Sequence, residues 1–245
     1  MSFLHNRVLD RTPVLKSLID ILFPPVCPVC EEDTGLPLCR GCDAGFSSHL
    51  IKGPMCVVCG VPFASKVGDD RTCGKCLMKT PPFKLARSVY VYEGVVLESI
   101  HRFKYSGKVI LAGPLGHLLA GAARGLPARP DVVVPVPLHP GRLRSRGFNQ
   151  SLLLARRVSG LIGVRLDYLS LKRTRPTRPQ VNLNSRERRE NVKGAFEVKK
   201  PDAFKGKKVL LVDDVLTTGS TVRECARVAK GSGAEVFVLT LARAA

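Results

Sequence analysis

Eight of the nine cysteines lie between residues 27 and 76, arranged as four C-x-x-C pairs: Cys27/Cys30, Cys39/Cys42, Cys56/Cys59 and Cys73/Cys76. Eight, thirteen and thirteen residues separate successive pairs. Each pair sets two thiolates on one tight turn, and two such turns complete the tetrahedral sulfur shell that Zn²⁺ accepts. The N-terminus lacks a basic segment followed by an apolar core and a small-residue cleavage site, which argues against secretion and for a reducing compartment. In that compartment metal knuckles outweigh disulfides. Sequential pairing gives two consecutive zinc ribbons, and the spacing leaves interleaved pairing open. An iron–sulfur cluster or a single metal is the weaker alternative. No His or carboxylate replaces a Cys, so both shells read as closed and structural rather than catalytic.

Charge is divided the opposite way from cysteine. The chain has 245 residues with 39 Lys+Arg against 20 Asp+Glu, a formal +19. Residues 1–85 hold 10 basic and 8 acidic side chains, whereas residues 86–245 hold 29 and 12, a net +17. Two Zn²⁺ on eight thiolates would take the first segment to about −2. Composition therefore draws a boundary near residue 80, and the length suits one medium domain with a small accessory. A 44% hydrophobic content excludes wholesale disorder, and no apolar run approaches the ~20 residues of a membrane span.

Ahead of the first knuckle, Val14, Leu15, Leu18, Ile19, Leu22 and Phe23 recur at helical spacing until Pro24-Pro25 ends the run. This predicts an amphipathic helix within residues 1–26, packed on its own chain, with a partner or membrane surface as the other reading. Residues 27–80 form the double zinc ribbon. From residue 86 to 245, short apolar strands alternate with helical stretches. Ser88–Tyr92, Val132–Val136, Val209–Val212 and Glu235–Leu241 read as strands; Gln150–Leu161, and the residues after Gly219, read as helices. Such alternation implies an α/β fold, a mostly parallel sheet with helices on both faces, and ligands at the carboxyl ends of its strands.

The sharpest signal is Val209-Leu210-Leu211-Val212-Asp213-Asp214-Val215-Leu216-Thr217-Thr218-Gly219-Ser220-Thr221. Four apolar residues make a core strand, two carboxylates stand at its end, and a small-residue turn opens a helix. Backbone N–H groups and the positive helix end there suit a phosphate. The hydroxyls of Thr217, Thr218, Ser220 and Thr221 add donors, and the adjacent acids can accept hydrogen bonds from sugar hydroxyls. Together they describe a ribose 5-phosphate.

Asp213–Thr221 resembles the phosphoribosyl pyrophosphate (PRPP) motif of type I phosphoribosyltransferases, and the chain as a whole resembles the ComF family. The likeness rests further on the four C-x-x-C pairs, Val134-Pro135-Val136-Pro137-Leu138, Arg146-Gly147-Phe148-Asn149-Gln150, Arg186…Asn191 and Gly194-Ala195-Phe196. It implies a type I phosphoribosyltransferase-like parallel sheet preceded by a small zinc-ribbon module. By the same resemblance, Asp213 and Asp214 hold the ribose 2′- and 3′-hydroxyls and feel the oxocarbenium-like charge that develops at the ring. Thr217, Thr218, Gly219, Ser220 and Thr221 cradle the 5′-phosphate. Val136, Pro137 and Leu138 form the pyrophosphate loop, with Arg146 as a charge partner, Mg²⁺ accompanying PRPP, and Thr174–Arg189 as a flexible lid. Lys104, after the helix-like Val95–Phe103 run, is a further candidate pyrophosphate contact. His101 and His139 read as packed or solvated residues, and Cys225 as core.

One PRPP does not require a +17 domain. Residues 172–208 carry 13 Lys+Arg against 4 Asp+Glu, and Arg142, Arg144, Arg146, Arg156 and Arg157 follow one another with no acid between 142 and 157. A solvated charged face is the plain reading, and polyanion binding through counterion release is the functional one. Aromatics are sparse among them, which favours backbone contact over base stacking. The ComF resemblance implies handling of single-stranded DNA during natural transformation. On the charge pattern Arg142, Arg144, Arg156, Arg157, Arg186, Arg188 and Arg189 are the candidate DNA contacts, with other competence or DNA-uptake proteins as further partners. The resemblance also implies a cytoplasmic protein, with the inner face of the cytoplasmic membrane as a second location. The alternative is an active phosphoribosyltransferase on a purine precursor or nucleobase, without a DNA role. Whether transfer occurs stays open at this level.

Overall fold

The computed structural model describes residues 25–178 and 184–244. The helix expected within residues 1–26 lies almost wholly outside the described residues. Four parallel strands form the central sheet: β1 (Leu85–Val91), β2 (Val132–Pro135), β5 (Lys208–Leu216) and β6 (Glu235–Arg243), in the order β1-β6-β5-β2. β3 (Leu171–Arg173) and β4 (Phe196–Val198) make a separate antiparallel pair.

Alternation along β5 explains why the sheet needs cover on both sides. Leu210 and Val212 enter one apolar cluster and Val209 and Leu211 the other, and all four are fully buried. The first cluster is closed by α3 (Gly94–Tyr105), α4 (Ala112–Arg124) and α6 (Gln150–Ile162), through side chains such as Phe103, Leu119 and Leu154. The second is closed by α8 (Ser220–Gly231), α7 (Ser185–Val192) and the β3–β4 pair, through Val222, Val192 and Phe196. A short helix, α5 (Pro140–Arg146), follows β2.

The cysteine-rich segment contributes α1 (Arg40–Ser48) and α2 (Gly74–Met78), and it straddles β1. Cys27, Cys39, Cys42 and Phe46 join the first cluster, while Cys56, Cys59 and Cys76 join the second. Backbone bonds tie the segment to that strand: Ile51 N–H donates to the Val89 carbonyl (3.0 Å), Val91 N–H to His49 (2.9 Å) and Ala86 N–H to Val58 (2.7 Å). At Gly60, whose φ is +68°, a Cβ would stand 2.5 Å from the Ala86 carbonyl oxygen, so this contact admits only glycine.

Two expectations need correction. The β5 strand does not stop at Val212. Its ladder with β2 ends at Pro135↔Val212, but its ladder with β6 continues to Val215↔Ala242 and Leu216↔Arg243. Asp213 and Asp214 therefore sit inside a strand that has lost one neighbour, rather than beyond its end. In the stretch from Thr174 to Arg189, read as an irregular lid, the described residues from Ser185 onward are helical. Asn184 accepts from the Arg186 and Glu187 N–H groups while the Glu187 side chain accepts from the Asn184 N–H, a reciprocal cap that starts α7.

Candidate functional site

The eight knuckle cysteines gather into two groups, Cys27/Cys30/Cys39/Cys42 and Cys56/Cys59/Cys73/Cys76, with the four sulfurs of each within 4.8 Å of one another. The pairing is sequential. A tetrahedron with Zn–S bonds of about 2.3 Å has S···S edges of about 3.8 Å. Cys30–Cys39 and Cys59–Cys73 stand at 3.5 and 3.8 Å, far beyond a disulfide bond. Backbone donors favour thiolates at one sulfur of each group: Cys59 and Cys73 N–H point at Cys56 Sγ (3.4 and 3.3 Å), whereas Cys42 N–H points at Cys39 Sγ (3.4 Å) without outweighing burial and the neighbouring Cys30, so that thiol stays raised. Burial alone would raise the Cys56 thiol, but the N–H groups of Cys59, Cys73 and Val58 bring it down to about 6. The same balance brings Cys27 down to about 7. Both four-sulfur sets are consistent with structural zinc.

Where β2 leaves the sheet, the exposed flank of β5 opens into a cleft of about 850 Å³. Asp213 and Asp214 are the carboxylates among its described lining. Ser151, at the start of α6, donates its hydroxyl to Asp213 Oδ1 at 2.7 Å, and the Asp214 N–H donates to the same oxygen at 3.0 Å. Burial, and next the neighbouring Asp214, push the Asp213 carboxyl up to about 7 against these bonds. Lys104, from the last turn of α3, pairs with Asp214 Oδ1 at 2.9 Å. Burial opposes the Lys104 charge, but Asp214 and then Asp213 outweigh it and hold the ammonium more firmly protonated than in water.

The turn after β5 forms the floor. Gly219, with φ +73°, precedes α8, and no side chain caps that helix start among the described residues. Thr217, Gly219, Ser220 and Thr221 line the cleft. Thr218 instead turns its hydroxyl toward Ser220 Oγ at 2.9 Å. Opposite stand Val136, Pro137 and Leu138, followed by α5, whose N-terminus is capped by His139 Nδ1 accepting from the Gly141 N–H (3.2 Å). Arg146 lies over the Tyr105 ring (5.2 Å) and donates to Gln150 Oε1 (3.0 Å). His101 lines the same wall and packs on Tyr105. Cys225 is fully buried behind the floor, its thiol raised by burial.

The candidate DNA arginines do not form one cluster. Arg142 and Arg188 line the cleft. Arg156 and Arg157 border a separate hollow of about 370 Å³ beside α4, where the Arg157 stem packs on Gly116. Arg144, Arg186 and Arg189 are exposed elsewhere on α5 and α7. Sequence reasoning gave no individual role to Ser151, a single hydroxyl with no motif, or to Arg173, one basic residue among thirteen between 172 and 208, and both line the cleft.

Residues 18–77 match the double zinc ribbon domain and residues 115–244 the phosphoribosyl transferase domain. The DNA utilization protein YhgH of Salmonella typhi is 34% identical, covering 86% of this chain and 93% of its own length. Competence protein F of Haemophilus influenzae is 32% identical (84% and 95%), and competence protein ComFC of Bacillus subtilis 28% identical (84% and 84%). None of the helices among the described residues is long and apolar enough to cross a membrane. With a type I phosphoribosyltransferase-like sheet behind two four-cysteine knuckles, and relatives of this kind along most of its length, the chain belongs to the ComF family.

Proposed function

We propose that the cleft binds PRPP and that the protein is a competence or DNA-utilization factor, as its relatives are named, which handles single-stranded DNA through its basic surface. The observation that carries the reading is the juxtaposition along one flank of β5. Two carboxylates, Asp213 and Asp214, stand one short turn from a helix start without a side-chain cap, with cationic side chains on the facing walls. A sugar diphosphate matches that sequence of groups. Its hydroxyls meet the acids, its 5′-phosphate meets Thr217, Ser220, Thr221 and the N–H groups of α8, and its diphosphate meets the 136–138 turn and Arg146. Lys104 neutralises Asp214 until the sugar hydroxyls arrive.

The residues fit a Mg²⁺ that enters with the diphosphate. This ion keeps most of its oxygen shell from water and phosphates and needs few protein ligands, and Asp213 and Asp214 are the carboxylates that would face it. When bound, Mg²⁺ supplies neutralisation of diphosphate charge. The protein's own share is positioning and electrostatics: Ser151 fixes the Asp213 carboxylate, and the Asp pair faces the positive charge that develops on a ribose ring as a C1–O bond breaks.

Calorimetric titration with PRPP and Mg²⁺ tests the reading. Saturable binding that disappears in Asp213→Asn/Asp214→Asn is the expected result, and equal affinity in that variant rejects the site. Pyrophosphate release screened across nucleobases then separates a transferring enzyme from a binding protein. Electrophoretic retardation of a labelled oligonucleotide tests the DNA role, and absence of any shift at low salt rejects it.

A further inference from the structure

Among the described residues two buried side-chain nitrogens lack a hydrogen-bond partner, Gln150 Nε2 and Arg173 Nε, and both belong to residues that line the same cleft. Arg173 is 7% exposed and Gln150 2% exposed. A guanidinium this deep normally faces a carboxylate, because burying an unpaired charge is costly. None of the described ion pairs includes Arg173. Its NH2 donates to the Thr177 hydroxyl and its Cζ lies 5.3 Å over the Phe196 ring, contacts that fix the side chain without neutralising it.

The charged surroundings sharpen the deficit. Burial, and next the positive charge of Arg142, weaken Arg173's hold on its proton; Asp213 acts the other way, and Arg175 adds to the repulsion. Arg142 also lines the cleft, on the helix that follows the 136–138 turn. Arg142 and Arg173 thus face one space from different elements, and among the described residues the anions lining it are Asp213 and Asp214, the second already paired with Lys104.

We propose that Arg173 is an anion anchor of this cleft, completing its charge by taking phosphoryl oxygens of a bound diphosphate, with Arg142 as its neighbour and the Gln150 amide as a further donor. This rests on the PRPP reading and extends it to Arg173, which no motif named. The 5′-phosphate already has the α8 start, whereas a guanidinium fork and a second cation suit the denser charge of a diphosphate. The side chain's place at the end of β3, held from behind by Phe196 of β4, makes it a fixed wall rather than a surface arm.

The test titrates the full zinc-loaded chain with three probes, PRPP, inorganic pyrophosphate and ribose 5-phosphate, in wild type, Arg173→Lys and Arg173→Met. The expected result for Arg173→Met is a loss of roughly tenfold to a hundredfold for PRPP and pyrophosphate, with ribose 5-phosphate within about twofold. Arg173→Lys, which keeps the charge and loses the fork, should fall between. Thermal unfolding without ligand should be unchanged or raised in Arg173→Met, since an unpaired buried charge is replaced by an apolar chain. Equal loss for all three probes with a lowered midpoint means a structural role and overturns the proposal. So does unchanged pyrophosphate affinity, or an effect confined to a single-stranded oligonucleotide. Wild-type chain that binds pyrophosphate but not PRPP retires the PRPP reading and leaves Arg173 to be judged on pyrophosphate alone; binding of neither ends both.

Discussion

Replacing Asp213 by Asn is expected to make the folded chain more stable above neutral pH while destroying its affinity for PRPP. Burial, and then the adjacent Asp214, raise the Asp213 carboxyl from 3.8 to about 7. The fold therefore keeps this acid protonated over a range where the unfolded chain releases the proton, and stability falls as pH climbs from about 4 to about 7, then levels off. A separation of about three pH units corresponds to about 4 kcal/mol at pH 8 and about 2 kcal/mol at pH 5.5. Asn has no charge to desolvate, and its Oδ1 can still accept from the Ser151 hydroxyl and the Asp214 N–H. Its NH₂ group, where it finds no acceptor, subtracts about 1–3 kcal/mol. That offset is the same at every pH, so the slope is the decisive quantity. Urea denaturation of both proteins at pH 5.5, 6.5 and 8 should show the variant gaining about 2 kcal/mol on wild type across the series. PRPP affinity should fall at least tenfold, as expected when a charge-assisted bond of about 1.5–3 kcal/mol is removed. A stability difference that stays flat with pH, or narrows toward pH 8, refutes the buried-acid reasoning.

Elemental analysis should find two Zn²⁺ per chain, and Cys30→Ser/Cys73→Ser, one ligand from each group, should release both; one metal, or iron, contradicts the assignment. PRPP binding should tighten between pH 6 and 8 as Asp213, raised to about 7, becomes the carboxylate that accepts sugar hydroxyls, and a pH-independent Kd counts against that role. Reversing Arg186, Arg188 and Arg189 to Glu should lower the salt dependence of single-stranded DNA binding by about 2 in the log–log slope if each meets one phosphate; an unchanged slope removes them from the interface. Gly60→Ala, which forces φ +68° on a Cβ facing the Ala86 carbonyl, should cost about 2 kcal/mol or more in a denaturant titration, and a neutral outcome contradicts the close approach.

What could be read in advance followed from patterns with few physical solutions. A four-residue apolar run bounded by polar residues is too short for a buried helix and reads as a buried strand, as Val209–Val212 is within β5; paired C-x-x-C turns at short spacing read as metal knuckles, and their sulfurs do cluster. The elements that escaped were those whose identity depends on partners distant in sequence. β5 reaches Leu216 because β6 extends to Arg243 beside it, a pairing invisible in the local string Asp213-Asp214. β3 is three residues long, too short for a period of two to register, and exists only against β4. α7 has no apolar periodicity, so its Asn184–Glu187 cap was the signal available. Arg173 resembles every other arginine in a basic stretch until the packing of Phe196 and the cleft wall set it apart.

β1 is an edge strand of the sheet, and the cysteine-rich segment meets its outer backbone through Ile51, His49 and Val58. An uncovered edge of this kind is a template for pairing with another chain. Zinc therefore governs colloidal behaviour as well as local folding: chelation should uncover the Val89 carbonyl and the Ala86 and Val91 amides together, and the stripped protein should leave solution by strand-to-strand association instead of persisting as a monomer with one loosened end.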